Sequence, residues 1–218
     1  MNAVDDLLTF VQSLGAVYRE KIDSLLKIFQ EVDAQTSRFR QASGLRCEPG
    51  CGRCCENPDV ETTVLEMLPI AFELWRKNEA APLLEKLAHP DVPELPGPCV
   101  FYRRDPMIPG HGRCSVYALR PLICRLFGFS AVVNKRNQNI FLTCRTIKKL
   151  HPRAYDRAYT AVLTDQMPIA RMRDYSMKVF AIDPASGDKR MPINQALKMA
   201  LEKVGMILKF TNLPESLP

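Results

Sequence analysis

Four cysteines fall within nine residues of one segment, which reads Cys47-Glu-Pro-Gly-Cys51-Gly-Arg-Cys54-Cys55. Its proline and two glycines let the backbone turn sharply, so several sulfur atoms can be directed at one point. Zinc and iron–sulfur centres are held by three or four converging thiolates, whereas a thiol–disulfide redox pair uses only two cysteines. Four further cysteines follow, at Cys99, Cys114, Cys124 and Cys144. The residue types and their spacing therefore predict a site for a soft metal.

The cellular compartment decides whether these thiols are free. The N-terminal residues lack the basic and then apolar order of a secretory signal, and no apolar run approaches the roughly 18 residues that a membrane span needs. We therefore expect a cytoplasmic protein without a membrane span, in which a reducing environment leaves thiols available for metals. A disulfide framework is the alternative, but a bond between the neighbours Cys54 and Cys55 would close a strained ring.

The adjacent pair Cys54-Cys55 also constrains the number of centres. Neighbouring side chains diverge by about 100° in a helix and about 180° in a strand, so these two thiols are poorly placed to bind one ion together. Two centres, or one multinuclear centre that both residues reach, satisfy this geometry. The sequence leaves open which cysteines share a centre.

The identity of the metal stays open between zinc and an iron–sulfur cluster. The pair Cys51-Gly-Arg-Cys54 has the spacing of a zinc knuckle, but the four later cysteines are ten or more positions apart and suit either metal. The spacing Cys47-x3-Cys51-x2-Cys54 also matches the cluster-binding loop of radical S-adenosylmethionine enzymes. Those enzymes need repeated βα units, which this mostly helical pattern does not provide.

Arginine stands directly beside five of the eight cysteines and accounts for part of the net charge of +6. The five are Arg46, Arg53, Arg113, Arg125 and Arg145. Four thiolates around a zinc ion leave a net negative charge, which guanidinium groups can offset by donating hydrogen bonds to sulfur. The alternative is that these arginines are simply solvated. The basic residues of the C-terminal third are typical of a solvated helix face, so a nucleic-acid partner is not expected.

The elements that position the first cysteines are predicted to be helical. Apolar residues recur at steps of three and four over residues 4 to 40, which indicates one long amphipathic helix or two helices joined near Gly15. Thr63-Val-Leu-Glu66 has the spacing of a capping box, and a helix through about Asn78 should follow it, with Pro69 inside.

The later cysteines lie on shorter elements. These are a helix near 80–88, a proline-dense segment from Pro90 to Pro98 that leads to Cys99, a short strand at 99–102, and a second strand or a turn at 114–117. A helical turn that begins at Arg120-Pro121 contains Cys124, and a β-hairpin within 127–143 and helices near 145–164, 168–179 and 192–204 follow. The expected fold class is mainly α with a small β-hairpin. A long N-terminal helix (1–43), a cysteine-rich metal-binding core (44–145) and a layer of C-terminal helices (146–218) form one domain.

The order of these motifs resembles one known family. Cys-x3-Cys-x2-Cys-Cys, a Thr-x-x-Glu helix start, Gly-x-Cys-x-x-Tyr and Arg120-Pro121-Leu-Ile-Cys124-Arg125 follow one another over residues 44 to 145. This segment looks like the YkgJ-type cysteine-cluster family of zinc- or iron-chelating domains. The first spacing is x3 where the family pattern has x2, and Pro69 is a second departure. The resemblance implies that the metal ligands are Cys47, Cys51, Cys54, Cys55, Cys99, Cys114, Cys124 and Cys144.

Three functions are compatible with these features. The first is a metal-chelating protein with no assigned reaction, which holds zinc or iron–sulfur centres. The second is an iron–sulfur enzyme, an oxidoreductase or a protein methylase similar to a related flagellin lysine methylase, with an open coordination position next to a pocket. The third is an adaptor that folds around metal and docks a protein partner through an exposed apolar stripe on its N-terminal helix.

Other residues add little chemistry to this set. The acidic residues show no close pair suited to general acid and base roles, and no phosphate-cradling glycine loop occurs. His111, three residues before Cys114, is the one histidine that could bind a metal, and a solvated loop residue is the expected alternative. Whether the protein is an enzyme is therefore left open.

Overall fold

The structure is a computed structural model that describes residues 3–88 and 97–211. In chain order the helices are α1 (Ala3–Leu14), α2 (Ala16–Ser43), α3 (Arg53–Glu56), α4 (Val64–Arg76), α5 (Ala80–Ala88), α6 (Leu122–Leu126), α7 (Arg145–Leu150), α8 (Pro152–Leu163), α9 (Met172–Ile182), α10 (Pro184–Gly187) and α11 (Ile193–Phe210). The strands are β1 (Glu61–Thr63), β2 (Tyr102–Arg104), β3 (Gly112–Cys114), β4 (Ser130–Val133), β5 (Asn139–Leu142), β6 (Ala170–Arg171) and β7 (Arg190–Pro192). The predicted fold class, mainly α with small β elements, is confirmed.

Two helices, and not one long helix, occupy the N-terminal region. This is the predicted alternative in which two helices join near Gly15. Gly15 separates α1 from α2 at φ 138°, a backbone conformation that side chains other than glycine rarely adopt. The sharp turn folds α1 back on α2, so that the Arg19 guanidinium donates a hydrogen bond of 3.1 Å to the carbonyl of Leu8. Gly44 ends α2 in the left-handed conformation that is common at helix C-termini.

Helix α2 lies at the centre of the fold. It contacts α1, α4, α6, α8 and α9, and its apolar face is buried from Ile22 to Phe39. Among the described residues of α1 and α2, Val17 is the only large apolar side chain that is exposed, at 68%. The apolar stripe that the sequence shows on these helices is therefore covered by the rest of the chain.

Helix α4 begins with the predicted capping box. The backbone N–H of Glu66 donates to the Thr63 hydroxyl, and the Glu66 carboxylate accepts from the backbone N–H of Thr63. Pro69 lies inside the helix, as predicted, and the helix ends at Arg76, two residues before the expected Asn78. Its inner face packs against α11.

The β elements combine predicted and unpredicted pairings. Strands β4 and β5 form the expected antiparallel hairpin, and β6 adds to β4 in parallel. Strand β1 pairs with β7 over a long sequence separation that no local pattern indicated. The strand expected at 99–102 is wrong, because a turn joins Tyr102 N–H to the carbonyl of Cys99 and the strand starts only at Tyr102.

The predicted C-terminal helices are present, and one of them is divided into two. The segment expected as a helix over 145–164 is split into α7 and α8, because Pro152 lacks the N–H that a continuous helix would need and instead opens α8. The proline-dense segment before Cys99 lies mostly outside the described residues, which resume at Gly97.

Two clusters of buried apolar residues flank the cysteine region. The larger cluster joins α1, α2, α4 and α11, and Cys99, Cys114 and Cys124 pack against it. The smaller cluster is built from residues that include Phe39 and Phe141, and Cys144 packs against that one. None of the helices in residues 3–88 and 97–211 is both long and apolar enough to cross a membrane.

Candidate metal centre

Five cysteines from four separate segments line one small cavity. They are Cys54, Cys55, Cys99, Cys114 and Cys124. The cavity has a volume of about 70 Å³, and most of its other walls are apolar side chains such as Val60, Met67, Ile70, Phe101 and Phe127. Arg120 is the one charged side chain of the lining. Thiols that are far apart in sequence thus line the same small and mainly apolar cavity.

Backbone and amide hydrogen bonds position Cys99. The N–H of Cys99 donates to the carbonyl of Cys55 at 3.0 Å, which joins the two cysteine segments directly. The side chain of Asn194, at the start of α11 and only 4% exposed, accepts from the N–H of Val100 and donates to the carbonyl of Pro98, both at 3.0 Å. A buried amide on the last helix therefore clamps the chain on either side of Cys99.

Helix α6 carries Cys124, and a carboxylate on α4 fixes where that helix begins. Pro121, the N-cap residue, cannot donate a backbone hydrogen bond. The next residue, Leu122, donates its N–H to Glu66 at 2.8 Å. Burial raises the pKa of Glu66, which is 2% exposed, in spite of the charge of Arg190 and these hydrogen bonds. Sequence analysis identified Glu66 only as part of the capping box of α4.

The remaining three cysteines, Cys47, Cys51 and Cys144, do not line this cavity. Removal of water raises the pKa of the Cys47 thiol, the charge of Arg40 opposes the shift, and the thiols of Cys54, Cys144 and Cys51 raise it further. These electrostatic contacts place Cys47 close to three other thiols, although it is the one exposed cysteine. Cys144 caps α7 by accepting a hydrogen bond from the N–H of Thr146 at 3.3 Å.

The adjacent thiols Cys54 and Cys55 influence each other strongly. A hydrogen bond from Cys55, together with backbone hydrogen bonds and the charge of Arg120, lowers the pKa of Cys54 to about 7 against the effect of burial. The same hydrogen bond, and burial, raise the pKa of Cys55. Burial also raises the pKa of Cys99 to about 11 and that of Cys124 still higher. A bound cation would reverse these shifts, because it stabilises the thiolate form of each ligand.

All eight cysteines are free thiols, and their chemistry suits zinc or iron. Within residues 3–88 and 97–211, however, no three His, Cys, Asp or Glu side chains already stand in an arrangement that could hold a metal ion. Most of the cysteines lie in loops or at the ends of short elements, where side chains and backbone can adjust. The thiols are therefore gathered in one region without forming a preformed metal site in the described part of the chain.

The arginines beside the cysteines form no hydrogen bond to sulfur in residues 3–88 and 97–211, although the charge of Arg125 interacts with Cys124. Arg125 instead binds Asp33 of α2 and the carbonyls of Ala118 and Arg120. The guanidinium of Arg125 is 6% exposed and also stacks over the Phe29 ring at 4.5 Å. The expectation of direct hydrogen bonds to sulfur is wrong, because neighbouring side chains point in different directions.

Other arginines supply the positive charge near the thiols. The charge of Arg120 lowers the pKa of Cys54 and Cys114, and that of Arg40 on α2 acts on Cys47. Arg120 is also bound to Asp33 at 3.1 Å, so Asp33 holds both arginines of the Arg-Pro-x-x-Cys-Arg motif. Sequence analysis missed these residues, since proximity in space and not in sequence brings them to the cysteines.

A tyrosine held between two glycines joins the first cysteine loop to the β2–β3 hairpin. A Cβ atom added at Gly52 or at Gly112 would lie 2.3 Å from Cε2 of Tyr102, so only glycine fits at either position. The Tyr102 hydroxyl donates to the carbonyl of His111 at 2.9 Å, and the N–H of Gly112 donates to the carbonyl of Gly50 at 2.8 Å. These contacts hold the β2–β3 hairpin against the loop that carries Cys51.

His111 and His151 lie outside the cysteine-lined cavity. His111 pairs with Cys51 through the backbone, and its ring packs over Gly50. His151 lies between α7 and α8, and His89 is outside the described residues. Nothing in these contacts gives His111 the role of a ligand.

Comparison with known proteins agrees with the geometry. None of the curated proteins and none of the solved structures matches the chain. Residues 46–147 match the family model described as “CxxCxxCC: Putative zinc- or iron-chelating domain”, which covers all eight cysteines and agrees with the resemblance seen over residues 44 to 145. Residues 46–147 of this chain are therefore similar to that cysteine-cluster family.

Proposed function

We propose that the protein chelates zinc, or iron as iron–sulfur centres, through all eight cysteines. The observation that carries the proposal is the single cavity lined by five thiols from residues 54 to 124, which no packing requirement of an apolar core explains. The family description supports zinc or iron as the metal.

The eight thiols divide into two sets of four in this proposal. The first set consists of Cys55, Cys99, Cys114 and Cys124, and the second of Cys47, Cys51, Cys54 and Cys144. Cys55 interacts electrostatically with Cys99 and Cys114, and Cys47 with the other three members of its own set. Cys54 lines the cavity of the first set and also interacts with its members, so it lies between the two sets. Cys54 and Cys55 fall in different sets because adjacent side chains diverge.

Arg120 and Asp33 have supporting roles at these centres. Arg120 lines the cavity, and its charge offsets part of the negative charge that four thiolates leave around a divalent ion. Asp33 and backbone carbonyls hold Arg120 and Arg125, and these contacts fix the start of the segment that presents Cys124. A metal would supply the charge that keeps the buried thiols deprotonated.

Metal analysis of protein purified without oxygen tests the proposal. Elemental analysis, acid-labile sulfide and visible absorption should show either two zinc ions per chain or iron with sulfide and a brown colour. Less than about 0.2 metal per chain after gentle purification would contradict the proposal. Equal amounts of iron and sulfide would exclude a purely zinc protein.

The division into sets has its own test. Cys124→Ser and Cys47→Ser should each remove one centre and leave the other, so that the metal content falls by about half. Ser115→Ala, beside Cys114 in sequence, is the control and should keep the full content. Retention of both centres in either cysteine variant would remove that cysteine from the ligand set.

The two other functions make different demands. The adaptor function needs an exposed apolar stripe on α1 and α2, and in the described residues of these helices only Val17 offers a large exposed apolar side chain. The enzyme function needs an iron with an open coordination position. If iron is found, a change in the electron paramagnetic resonance spectrum of the reduced protein on adding cyanide would favour an enzyme, and an unchanged spectrum would favour chelation alone.

A further inference from the structure

Two arginines lie directly opposite each other on the β2–β3 hairpin. Arg103 and Arg113 are register partners in this antiparallel pair, and both side chains are exposed. Like charges in directly opposed positions destabilise a β-ladder. Arg103 donates only to the carbonyl of Val100, and in the part of the chain that the structure describes Arg113 has no side-chain hydrogen bond or ion pair. The hairpin thus holds an unfavourable pair of charges, and no carboxylate within residues 3–88 and 97–211 forms an ion pair with either of them.

The same arginines line a cavity of about 390 Å³ between the hairpin and the first cysteine loop. Arg104 and Asp105 also line it, together with Gly50 and Gly112. The Asp105 carboxylate is already used within its own loop, where it accepts from the N–H groups of Met107 and Ile108 at 2.8 and 3.2 Å. Three guanidinium groups therefore face one carboxylate in this lining, and that carboxylate is engaged elsewhere.

The metal site explains these charges only in part, since the charge of Arg103 also lowers the pKa of Cys114. Side chains alternate along a strand, so Cys114 lines the cysteine cavity while its neighbour Arg113 lines the arginine cavity. Arg104 reaches Glu56 at 3.3 Å, an exposed ion pair that leaves the opposed pair Arg103 and Arg113 uncompensated. The arginine cavity is a separate concave surface with a local excess of positive charge.

We infer that the arginine cavity binds a small phosphate-bearing molecule. A guanidinium group presents two parallel N–H donors that match the oxygen atoms of a phosphate, and two such forks stand opposite each other here. A dianion between them would replace the repulsion between Arg103 and Arg113 with two charge-assisted hydrogen-bonding contacts. The ligand is either inorganic phosphate or a phosphate monoester, and its binding does not depend on the proposed metal ligands.

Titration of the full chain in its purified form tests this inference. Inorganic phosphate and phenyl phosphate are titrated separately by calorimetry, with ionic strength held constant by sodium chloride. Saturable binding of either probe, with a Kd below about 10 mM, is expected. Tighter binding of inorganic phosphate identifies the free ion as the ligand, and tighter binding of phenyl phosphate identifies an ester.

Matched variants locate the site. Arg113→Gln and Arg103→Gln should each weaken binding at least about tenfold, because each removes one guanidinium fork. Arg136→Gln is the control, since Arg136 is an exposed arginine in the turn between β4 and β5, and its affinity should stay within about twofold. Phosphate should also raise the thermal unfolding midpoint of the wild type and of Arg136→Gln, but not that of Arg113→Gln.

Three results would overturn the inference. They are no saturable binding of either probe below about 10 mM, an unchanged affinity in Arg113→Gln, and binding of polyglutamate without binding of phosphate, which would indicate an acidic protein partner. Both variants should remain folded. Removing one of two opposed like charges should leave the free energy of unfolding equal or higher, so weaker binding cannot be due to unfolding. The metal content of each variant is measured in parallel and should not change.

Discussion

The carboxylate of Glu66, in the first turn of α4, accepts a hydrogen bond of 2.8 Å from the backbone N–H of Leu122, the first residue of α6. Its other oxygen accepts from the hydroxyl and the N–H of Thr63. One buried carboxylate thus caps two helices, and the second of them presents Cys124 to the cysteine cavity.

Replacing this carboxylate should loosen both helix starts. Glu66→Ala would leave two buried N–H groups without acceptors, and we expect a loss of roughly 2–4 kcal/mol in the free energy of unfolding, with a lower metal content. Urea denaturation measures the first and elemental analysis the second. Glu85→Ala, at an exposed position of α5, is the control and should change stability by less than about 0.5 kcal/mol. Equal stability of the two variants would contradict this role.

The same residue gives a pH dependence with a definite sign. Burial raises the pKa of Glu66, so the folded state holds its proton above the pH at which the unfolded chain releases it. The folded state therefore binds more protons in this window, and stability falls as the pH rises from the ordinary value of about 4.3 toward the raised one. Glu66→Gln cannot titrate and should lack this part of the slope. Urea denaturation between pH 4 and pH 8 gives the free energy of unfolding of both proteins. The same pH dependence in the two would contradict this contribution of Glu66.

The ion pairs of Asp33 with Arg120 and Arg125 should stabilise the fold. Asp33→Asn removes the partner of Arg125, whose guanidinium is almost fully buried, and of Arg120. Because Asp33 itself is 41% exposed, we expect a loss of roughly 1–3 kcal/mol, less than for a fully buried pair. Asp23→Asn, on the same helix and in an exposed pair with Lys27, should cost less than about 0.5 kcal/mol. Thermal or urea unfolding of both variants decides whether burial is the cause.

The two glycines that hold Tyr102 should respond differently to alanine. In Gly52→Ala the new Cβ meets only the Tyr102 ring, so the double variant with Tyr102→Ala should recover much of the lost stability and metal content. In Gly112→Ala the Cβ also lies 2.6 Å from the backbone oxygen of Arg103, which cannot move aside. Tyr102→Ala should therefore not rescue it. Gly97→Ala, which meets no atom within 4 Å, is the control, and equal rescue of both glycine variants would refute the distinction.

Thiol reactivity provides a further measurement. In reduced, metal-free protein the pKa of Cys54 near 7 should make it the first of the cavity thiols to be alkylated by iodoacetamide at neutral pH, ahead of Cys99 and Cys124. Cys55→Ala removes the hydrogen bond that stabilises the Cys54 thiolate, so the pH midpoint of its reaction should rise. Mass spectrometry of labelled peptides follows each site. Faster labelling of Cys99 than of Cys54 would contradict the assignment.

Local patterns in the sequence predicted local structure well. The helix break at Gly15, the capping box at Thr63 and Glu66, and the turn that contains Cys124 all depend on residues within a few positions of one another. Glycine, proline and short polar side chains limit the backbone strongly at such places. The hairpin of β4 and β5 was predicted for the same reason.

Contacts between distant segments could not be predicted in this way. The pairing of β1 with β7 involves only three residues on each side, and the role of Asn194 depends on where α11 lies relative to Cys99. The arginine neighbours of the cysteines were given the wrong partners, since sequence adjacency does not set the direction of a side chain. Convergence of the cysteines was expected from chemistry, but which of them line a common cavity could not be predicted.

One peptide bond separates Cys54 from Cys55, and helix α3 contains both. If the two residues serve different centres, filling either centre fixes the same short stretch of backbone. Binding of the first ion reduces the conformational entropy of this stretch of backbone. The second ion then binds without that entropic cost, so binding of either ion favours binding of the other. Metal uptake should consequently be cooperative: the second ion should bind more tightly than the first, and a chain that keeps only one centre should hold its ion less tightly than the intact protein does.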